Sequence, residues 1–400
     1  MLSLDEAIRL AIRTRPSLRR AGYQVDAAAG HVVQAGLYPN PSFVFDGEGL
    51  GSAAGAGGET AYRVEQEIVL GGKLHKARKV AEADLLAAQA DVVAEEFAVA
   101  SRVTRAYVAA VAAEERLESR RALLELADEV LWAARAQVEV GVATEPDRLR
   151  AEVVREQAQA EFESAGRQRD AALRGLAAEI GLEGTLNVPL TSRLQDLPSL
   201  PGRETMLAAA LEANGRIIKA RLAVERARRA HALAEAEAMP SLVASFGPRV
   251  SDVEHETTID VGLTLEVPLF DRKQGMIRAA LADRMSSAEA LREVQLQLLA
   301  AVTEAYAAYE SARIAADAFG ERLIPKAERT LELTRQAYER GKADYLRVLD
   351  AQQVVVASRL AYIDALVRLH EAAALLRELA QTDAPWRNAA ADDSNGENKQ

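Results

Sequence analysis

Ile259-Asp260-Val261-Gly262-Leu263-Thr264-Leu265-Glu266-Val267 alternates apolar and polar side chains at strict period two, and Leu269 extends the apolar series beyond Pro268. Successive side chains of a strand point to opposite faces, so this run makes a ribbon with one greasy and one wet face. Looser versions occur elsewhere. Tyr62, Val64 and Ile68 alternate with Arg63, Glu65 and Glu67; Phe43 and Phe45 flank Val44 and Asp46; Leu242, Ala244 and Phe246 alternate with Val243 and Ser245. The sequence thus predicts four strands, near Ser42–Leu50, Ala61–Leu70, Ser241–Val250 and Thr257–Leu269. Roughly nine to eleven residues also suffices for a tilted strand to cross a bilayer, lipid outside and water inside. The same alternation suits a water-soluble sheet with one face on a helix layer, and pattern alone admits both readings.

Outward from the strands the chain is helical. Lys73 to Glu139 contains neither proline nor glycine and is dominated by Ala, Leu, Glu, Arg and Gln. That predicts one helix of about 67 residues, roughly 100 Å long. Gly141 ends it, Thr144 is a candidate cap for the next helix, and Pro146 falls in that helix's first turn. The 400 residues are 49% hydrophobic and 27% charged, which excludes wholesale disorder. A net charge of −11 argues against a nucleic-acid-facing surface. Absence of cysteine removes disulfides, thiolate metal sites and thiol nucleophiles. No apolar run is long enough for a transmembrane helix. No signal peptide is visible at Met1, which leads directly into a capping-box-like Ser3-Leu4-Asp5-Glu6.

The punctuation repeats. Gly141 and Gly341 lie 200 residues apart, Gln137-Val138-Glu139-Val140-Gly141 matching Ala337-Tyr338-Glu339-Arg340-Gly341. Pro41-Ser42-Phe43 likewise pairs with Pro240-Ser241-Leu242, and Lys73 with Lys273. Each half reads helix, two strands, very long helix, tight turn, medium helix, as expected of an internal duplication. The expected organisation is a first repeat at 1–181, a proline-bearing linker at 182–203, a second repeat at 204–382 and a disordered tail at 383–400. The opening helices are placed at Leu4–Gly36 and Glu204–Ala238, and the second long helix at Arg272–Arg340 with a kink at Gly320 and Pro325. The last helix is placed at Asp344–Ala380. In each half the two shorter helices together match the long one in length, so each half builds a pair of rods with the glycine turns at one end and the strands at the other.

Four strands cannot close a membrane barrel, and an open sheet edge is forbidden in lipid. If the strands span a membrane, several chains share one barrel, and three would supply twelve strands. The competing reading is a soluble helical scaffold or adhesin-like stalk. Periplasmic adaptors also carry helical hairpins, but they lack a full-length duplication and paired bilayer-length strands.

Over about residues 2–382 the chain resembles the TolC-type outer-membrane efflux proteins. The resemblance is carried by the order of Leu4-Asp5-Glu6-Ala7-Ile8, Arg15-Pro16-Ser17-Leu18, Leu37-Tyr38-Pro39-Asn40-Pro41-Ser42-Phe43, Tyr338-Glu339-Arg340-Gly341 and Val348-Leu349-Asp350-Ala351. Ile68-Val69-Leu70-Gly71-Gly72-Lys73 is similar to the heavy-metal-cation branch, the CzcC-like and CusC-like proteins. This resemblance implies a mainly α fold with a membrane β-barrel: a homotrimer with a twelve-stranded barrel in the outer membrane and a long α-helical barrel in the periplasm. It implies a passive conduit for metal cations, or for drugs and other small solutes, fed by an inner-membrane pump and a periplasmic adaptor, with outer-membrane lipid around the barrel.

The resemblance also carries site residues. Tyr338 and Asp147 match a hydrogen-bonded pair that closes the periplasmic mouth, whereas a second lock is absent because Ala343 and Pro146 occupy its positions. Asp350 matches one of two acidic ring positions and Arg347 stands at the other. Three Asp350 carboxylates around a threefold axis would attract cations, and Arg347 would weaken that ring by pairing with Asp350 or Asp147. Exposed charges at a helix end are the alternative reading for each. The turns at Gly141, Val142, Gly341 and Lys342 are the expected adaptor contacts.

No enzyme chemistry is expected, and no cofactor or resident metal. His31, His75, His231, His255 and His370 lack the i, i+4 spacing of a helical zinc motif. Glu145, Asp147, Asp344 and Asp350 gather near the turns without a histidine. Glu254-His255-Glu256 reads as a solvated loop, and Gly47-Glu48-Gly49-Leu50-Gly51 is followed by more loop rather than a helix N-terminus.

Overall fold

A computed structural model describes residues 1–48, 58–141, 143–186, 188–251, 255–340, 342–343 and 345–381. The expected tail at 383–400, most of the first strand loop and Glu254 lie outside the described residues. In chain order the elements are α1 (Leu4–Thr14), α2 (Pro16–Ala35), β1 (Ser42–Glu48), β2 (Glu59–Ile68), α3 (Lys73–Glu139), α4 (Glu145–Ile180), α5 (Arg203–Ala213), α6 (Gly215–Glu237), β3 (Leu242–Ser251), β4 (Glu256–Leu265), α7 (Gln274–Asp317), α8 (Ile324–Glu339) and α9 (Tyr345–Ala380). A π-helical turn, Ala318–Leu323, joins α7 to α8.

The Pro- and Gly-free run from Lys73 folds as α3, 67 residues without interruption. The two opening helices do not run through as the sequence predicts. Each breaks after eleven residues, at Arg15 (ψ 123°) and at Asn214 (ψ 128°). Pro16 explains the first break, because its ring disfavours helical geometry at the preceding residue. The breaks serve the far ends of other helices. The Thr14 hydroxyl donates to the carbonyl of Ile180, and the Arg15 guanidinium donates to those of Ala178 at 2.8 Å and Glu179 at 3.2 Å. Gly181 ends α4 at φ +86°, where a side chain would be strained and a Cβ would lie 2.9 Å from Thr14 Oγ1. In the second half Asn214 Nδ2 donates to the Leu379 carbonyl in α9 at 2.8 Å. The last carbonyls of a helix have no intrahelical partner, so each duplicated half closes one helix end with polar groups from the break in another.

The chain divides into two compact units that do not follow the halves of the sequence. One comprises Met1–Arg19, Val93–Asn214 and the chain from Leu296; the other comprises Arg20–Val92 and Gly215–Gln295. The first unit is helical, with Val99, Val103, Tyr107, Leu176, Ile180, Met206, Val302, Leu366, Leu369 and Leu376 buried in it. Small residues separate them, among them Ala7, Ala11, Ala110, Ala210, Ala305 and Ala373. The linker is tied to this unit by two buried tyrosines and a half-buried histidine. Tyr107 Oη donates to the Leu2 carbonyl at 2.8 Å and accepts from the amides of Thr191 and Ser192, both at 3.1 Å. Tyr309 Oη donates to the Pro198 carbonyl at 2.9 Å, and a His370 ring nitrogen lies 2.8 Å from the Leu194 carbonyl.

The second unit holds the sheet, whose strands lie in the order β1-β2-β3-β4, every neighbouring pair antiparallel. Its helices are cross-linked by Lys219 with Asp91 at 2.8 Å and Arg226 with Asp84 at 2.6 Å.

Tyr107→Phe keeps the ring but strips one donor and one acceptor from three part-buried backbone groups. The expected loss is about 2 kcal/mol, seen as earlier thermal unfolding by far-UV circular dichroism. Burial holds the His370 pKa below its usual value, so the stability it contributes is full above the unfolded imidazole pKa. That contribution is lost as pH falls through the lower folded value, and His370→Gln is expected to flatten this part of the pH–stability profile.

Candidate functional site: an uncovered sheet face and two helix tips

Antiparallel partners share a face, so the register sorts every strand residue. Phe43, Phe45, Tyr62, Val64, Phe246, Ile259, Val261, Leu263 and Leu265 fall on one side. None is packed away: Ile259 is 67% exposed, Val261 75%, Leu263 70% and Phe43 71%. A soluble sheet would bury this face on helices, and here it is bare. Val267 and Leu269, which the sequence predicts as part of the strand, lie beyond its end and are exposed as well. Among these side chains Phe45 and Tyr62 meet with ring centroids 5.1 Å apart.

The opposite face carries charge. Arg63 pairs with Asp46 and lies 3.8 Å from Glu65. Arg249 bridges Glu59 at 3.1 Å and Asp260 at 2.7 Å, spanning three strands. These ladders escaped the sequence reading because their partners are set by register rather than by spacing. Gly247 permits the tightest approach of β3 to β2, since a Cβ there would fall onto the Tyr62 carbonyl.

The turns form the other candidate region. At the end of α3, Gly141 adopts φ +73°, and the Ala143 amide donates to the Gln137 carbonyl at 3.2 Å. Asp147 Oδ2 then accepts from the Thr144 amide at 3.0 Å and the Thr144 hydroxyl at 2.6 Å. These bonds hold its carboxyl below the usual range. Arg148 is fixed by Glu145 and Glu152. Tyr338 Oη accepts from Gln137 Nε2 of α3 at 3.2 Å. Tyr338 and Asp147 are therefore engaged with other partners here, Gln137 and Thr144.

Val130 and Leu131 of α3 and Ala151 of α4 form a buried cluster against which Leu349 of α9 packs. Arg347 and Asp350 are exposed beside it, and Asp350 makes no ion pair or hydrogen bond among the described residues. The carboxylate of Asp147 is held by Thr144. Lys342 is exposed, its amide donating to the Ala337 carbonyl at 2.8 Å. Val142, Gly341 and Asp344 lie outside the described residues. Among the described residues no group of three His, Asp or Glu side chains is placed to hold a metal ion. The sequence reading missed Gln137 as the partner of Tyr338; the Thr144-x-x-Asp147 spacing was the available signal for the reciprocal cap.

Falling pH should undo the cap. Its contribution is full above the unfolded carboxyl value and is lost as pH drops through the lower folded one. Protection of the Thr144 amide, measured relative to its intrinsic exchange rate, is expected to fall below about pH 4, and Asp147→Ala to produce that loss at neutral pH.

A family profile described as "Outer membrane efflux protein" matches the chain twice, at residues 7–182 and 206–381. The cobalt-zinc-cadmium resistance protein CzcC of Cupriavidus metallidurans is 24% identical over 93% of this chain and 88% of its own length. The nickel-cobalt-cadmium resistance protein NccC of Alcaligenes xylosoxydans xylosoxydans is 30% identical over 72% of this chain and 65% of its own. Among solved structures, CusC superposes with a TM-score of 0.80 at 18% identity, covering 94% of this chain and 91% of that one. A membrane protein from Pseudomonas aeruginosa gives 0.79 at 23% identity, covering 94% and 93%.

Proposed function

The chain belongs to the outer membrane efflux protein family, channel proteins rather than enzymes, and from that premise we propose that it is the outer-membrane conduit of a tripartite exporter of metal cations. The observation that carries this reading is the bare apolar face of the sheet with a charged face behind it. Lipid is the cover such a face needs, and water the medium for the other. In lipid the outer edges of β1 and β4 need partners, which further copies supply; three copies give twelve strands. Helix surfaces support the same assembly. From Gln274 to Gln297, α7 buries no residue, leaving Met276, Leu281, Met285 and Leu296 for a second copy to cover.

Metal cations are favoured over organic solutes by the extent of the similarities. The relative named for cobalt, zinc and cadmium resistance aligns with 93% of this chain, whereas the toluene efflux protein TtgF of Pseudomonas putida aligns with 40%. In this reading the pump and adaptor supply direction and energy, and the adaptor meets the turns at Gly141, Val142, Gly341 and Lys342. The two halves act as tandem copies that place both turns at the periplasmic mouth. Closure there draws Asp147 from Thr144 and Tyr338 from Gln137 into contact, with Asp350 and Arg347 setting the charge of the opening.

Two measurements test the reading. Val261→Arg puts a charge on the lipid face and should abolish channel formation in planar bilayers, at a cost of about 2–4 kcal/mol per copy near the bilayer midplane. Thr258→Arg, on the opposite face, should leave channels intact. Equal behaviour of the two variants would remove the membrane assignment. For the mouth, Asp147→Ala and Tyr338→Phe should each raise single-channel conductance, and unchanged values for both would refute the lock.

A further inference from the structure

The helical run from Leu298 to Glu339 changes character at one turn. Upstream of it Leu298, Val302, Ala305, Tyr309, Ala312 and Ala316 are buried at helical spacing. Downstream, α8 buries only Ala327 among its described side chains. Between them Ala318–Leu323 winds as a π-helical turn, and the Ile324 amide donates five residues back to the Phe319 carbonyl. The sequence predicts a kink here from Gly320 and Pro325. The chain instead accommodates Pro325, which has no amide to donate, by taking one extra residue into the turn.

That turn rests against α9. A Cβ on Gly320 would lie 3.1 Å from the hydroxyl of Tyr362 and 3.2 Å from two of its ring carbons. The ring fills the slot that glycine leaves open, and its hydroxyl makes no hydrogen bond among the described residues. Glu115 of α3 and Asp317 lie close enough to act electrostatically on that hydroxyl. The contact is therefore one of shape without a latch. A π-turn holds one residue more than an α-turn. Passing that residue on along the helix would rotate every side chain beyond it by about 100° and shift it by about 1.5 Å. Tyr338 lies at the far end of α8.

We propose that the π-helical turn at Ala318–Leu323 is a hinge on which α8 turns, with the Tyr362 ring as its bearing, and that its winding sets whether Tyr338 faces Gln137. The hinge gives the mouth its moving part, and this role rests on the reading of the tips as a gate.

Deleting Phe319 removes the extra residue, so the turn becomes α-helical while α8 keeps its phase. Hydrogen exchange on the full-length protein in detergent tests the hinge independently of the gate. Amides 320–324 should exchange about tenfold faster than amides 309–316, and the deletion should bring them within about twofold. In planar bilayers the deletion should also abolish the conductance gain of Asp147→Ala. If Asp147→Ala gives no gain at all, the gate reading fails, while the exchange contrast still decides the hinge. Equal exchange on both sides of Gly320 in the unaltered protein would overturn the hinge. So would an undiminished conductance gain in the deletion variant. Should the deletion fail to fold, Gly320→Ala keeps the chain length and crowds Tyr362. It should slow exchange in the turn, and Tyr362→Ala should reverse that effect; exchange left unchanged by Gly320→Ala overturns the proposal.

Discussion

Backbone hydrogen bonding in a medium without water is the constraint that organises this chain. The sheet offers an apolar face wide enough for lipid contact, but four strands leave two rows of amides and carbonyls unanswered at its edges. A soluble protein would solve the first problem with a helix layer and the second with charge. Here the apolar residues stay uncovered, and the charges sit on the opposite face, tied up in the Arg63 and Arg249 ladders. Both departures make sense if more copies of the same chain complete the ring.

The helical unit answers the same accounting problem by different means. Helices α4 and α9 end inside the unit, where unpaired carbonyls are costly. The chain supplies Thr14 and Arg15 to one end and Asn214 to another, each from a place where a helix has just been broken. Two halves with sparse identity thus keep one architectural device while changing the residues that carry it. Tyr107, Tyr309 and His370 hold the linker by contacts to its backbone, which leaves the linker's own side chains less constrained.

Much of this was readable in the residues. The bounds of α3 followed from the absence of Pro and Gly between Lys73 and Glu139, and the alternation from Ile259 marked its strand. The breaks at Arg15 and Asn214 were not legible. Proline is tolerated in the first turn of a helix, so Pro16 alone did not separate a start from a continuation, and Asn214 carries its meaning only through a carbonyl 165 positions away. The π-turn was hidden for a related reason. Gly320 and Pro325 signal disturbance, but whether a helix bends or takes in a residue depends on what packs beside it, here Tyr362. At the tips, Thr144 and Asp147 announce their cap by spacing, whereas the meeting of Gln137 with Tyr338 depends on how two distant helices lie together.

The strap at Leu2 bears on how the molecule can be handled. Its amide donates to the Pro189 carbonyl, and its own carbonyl accepts from the Thr191 amide and the Tyr107 hydroxyl. A residue inserted next to Leu2, or a label placed on it, would therefore press on the linker and on Tyr107 together, so a probe for this region belongs elsewhere.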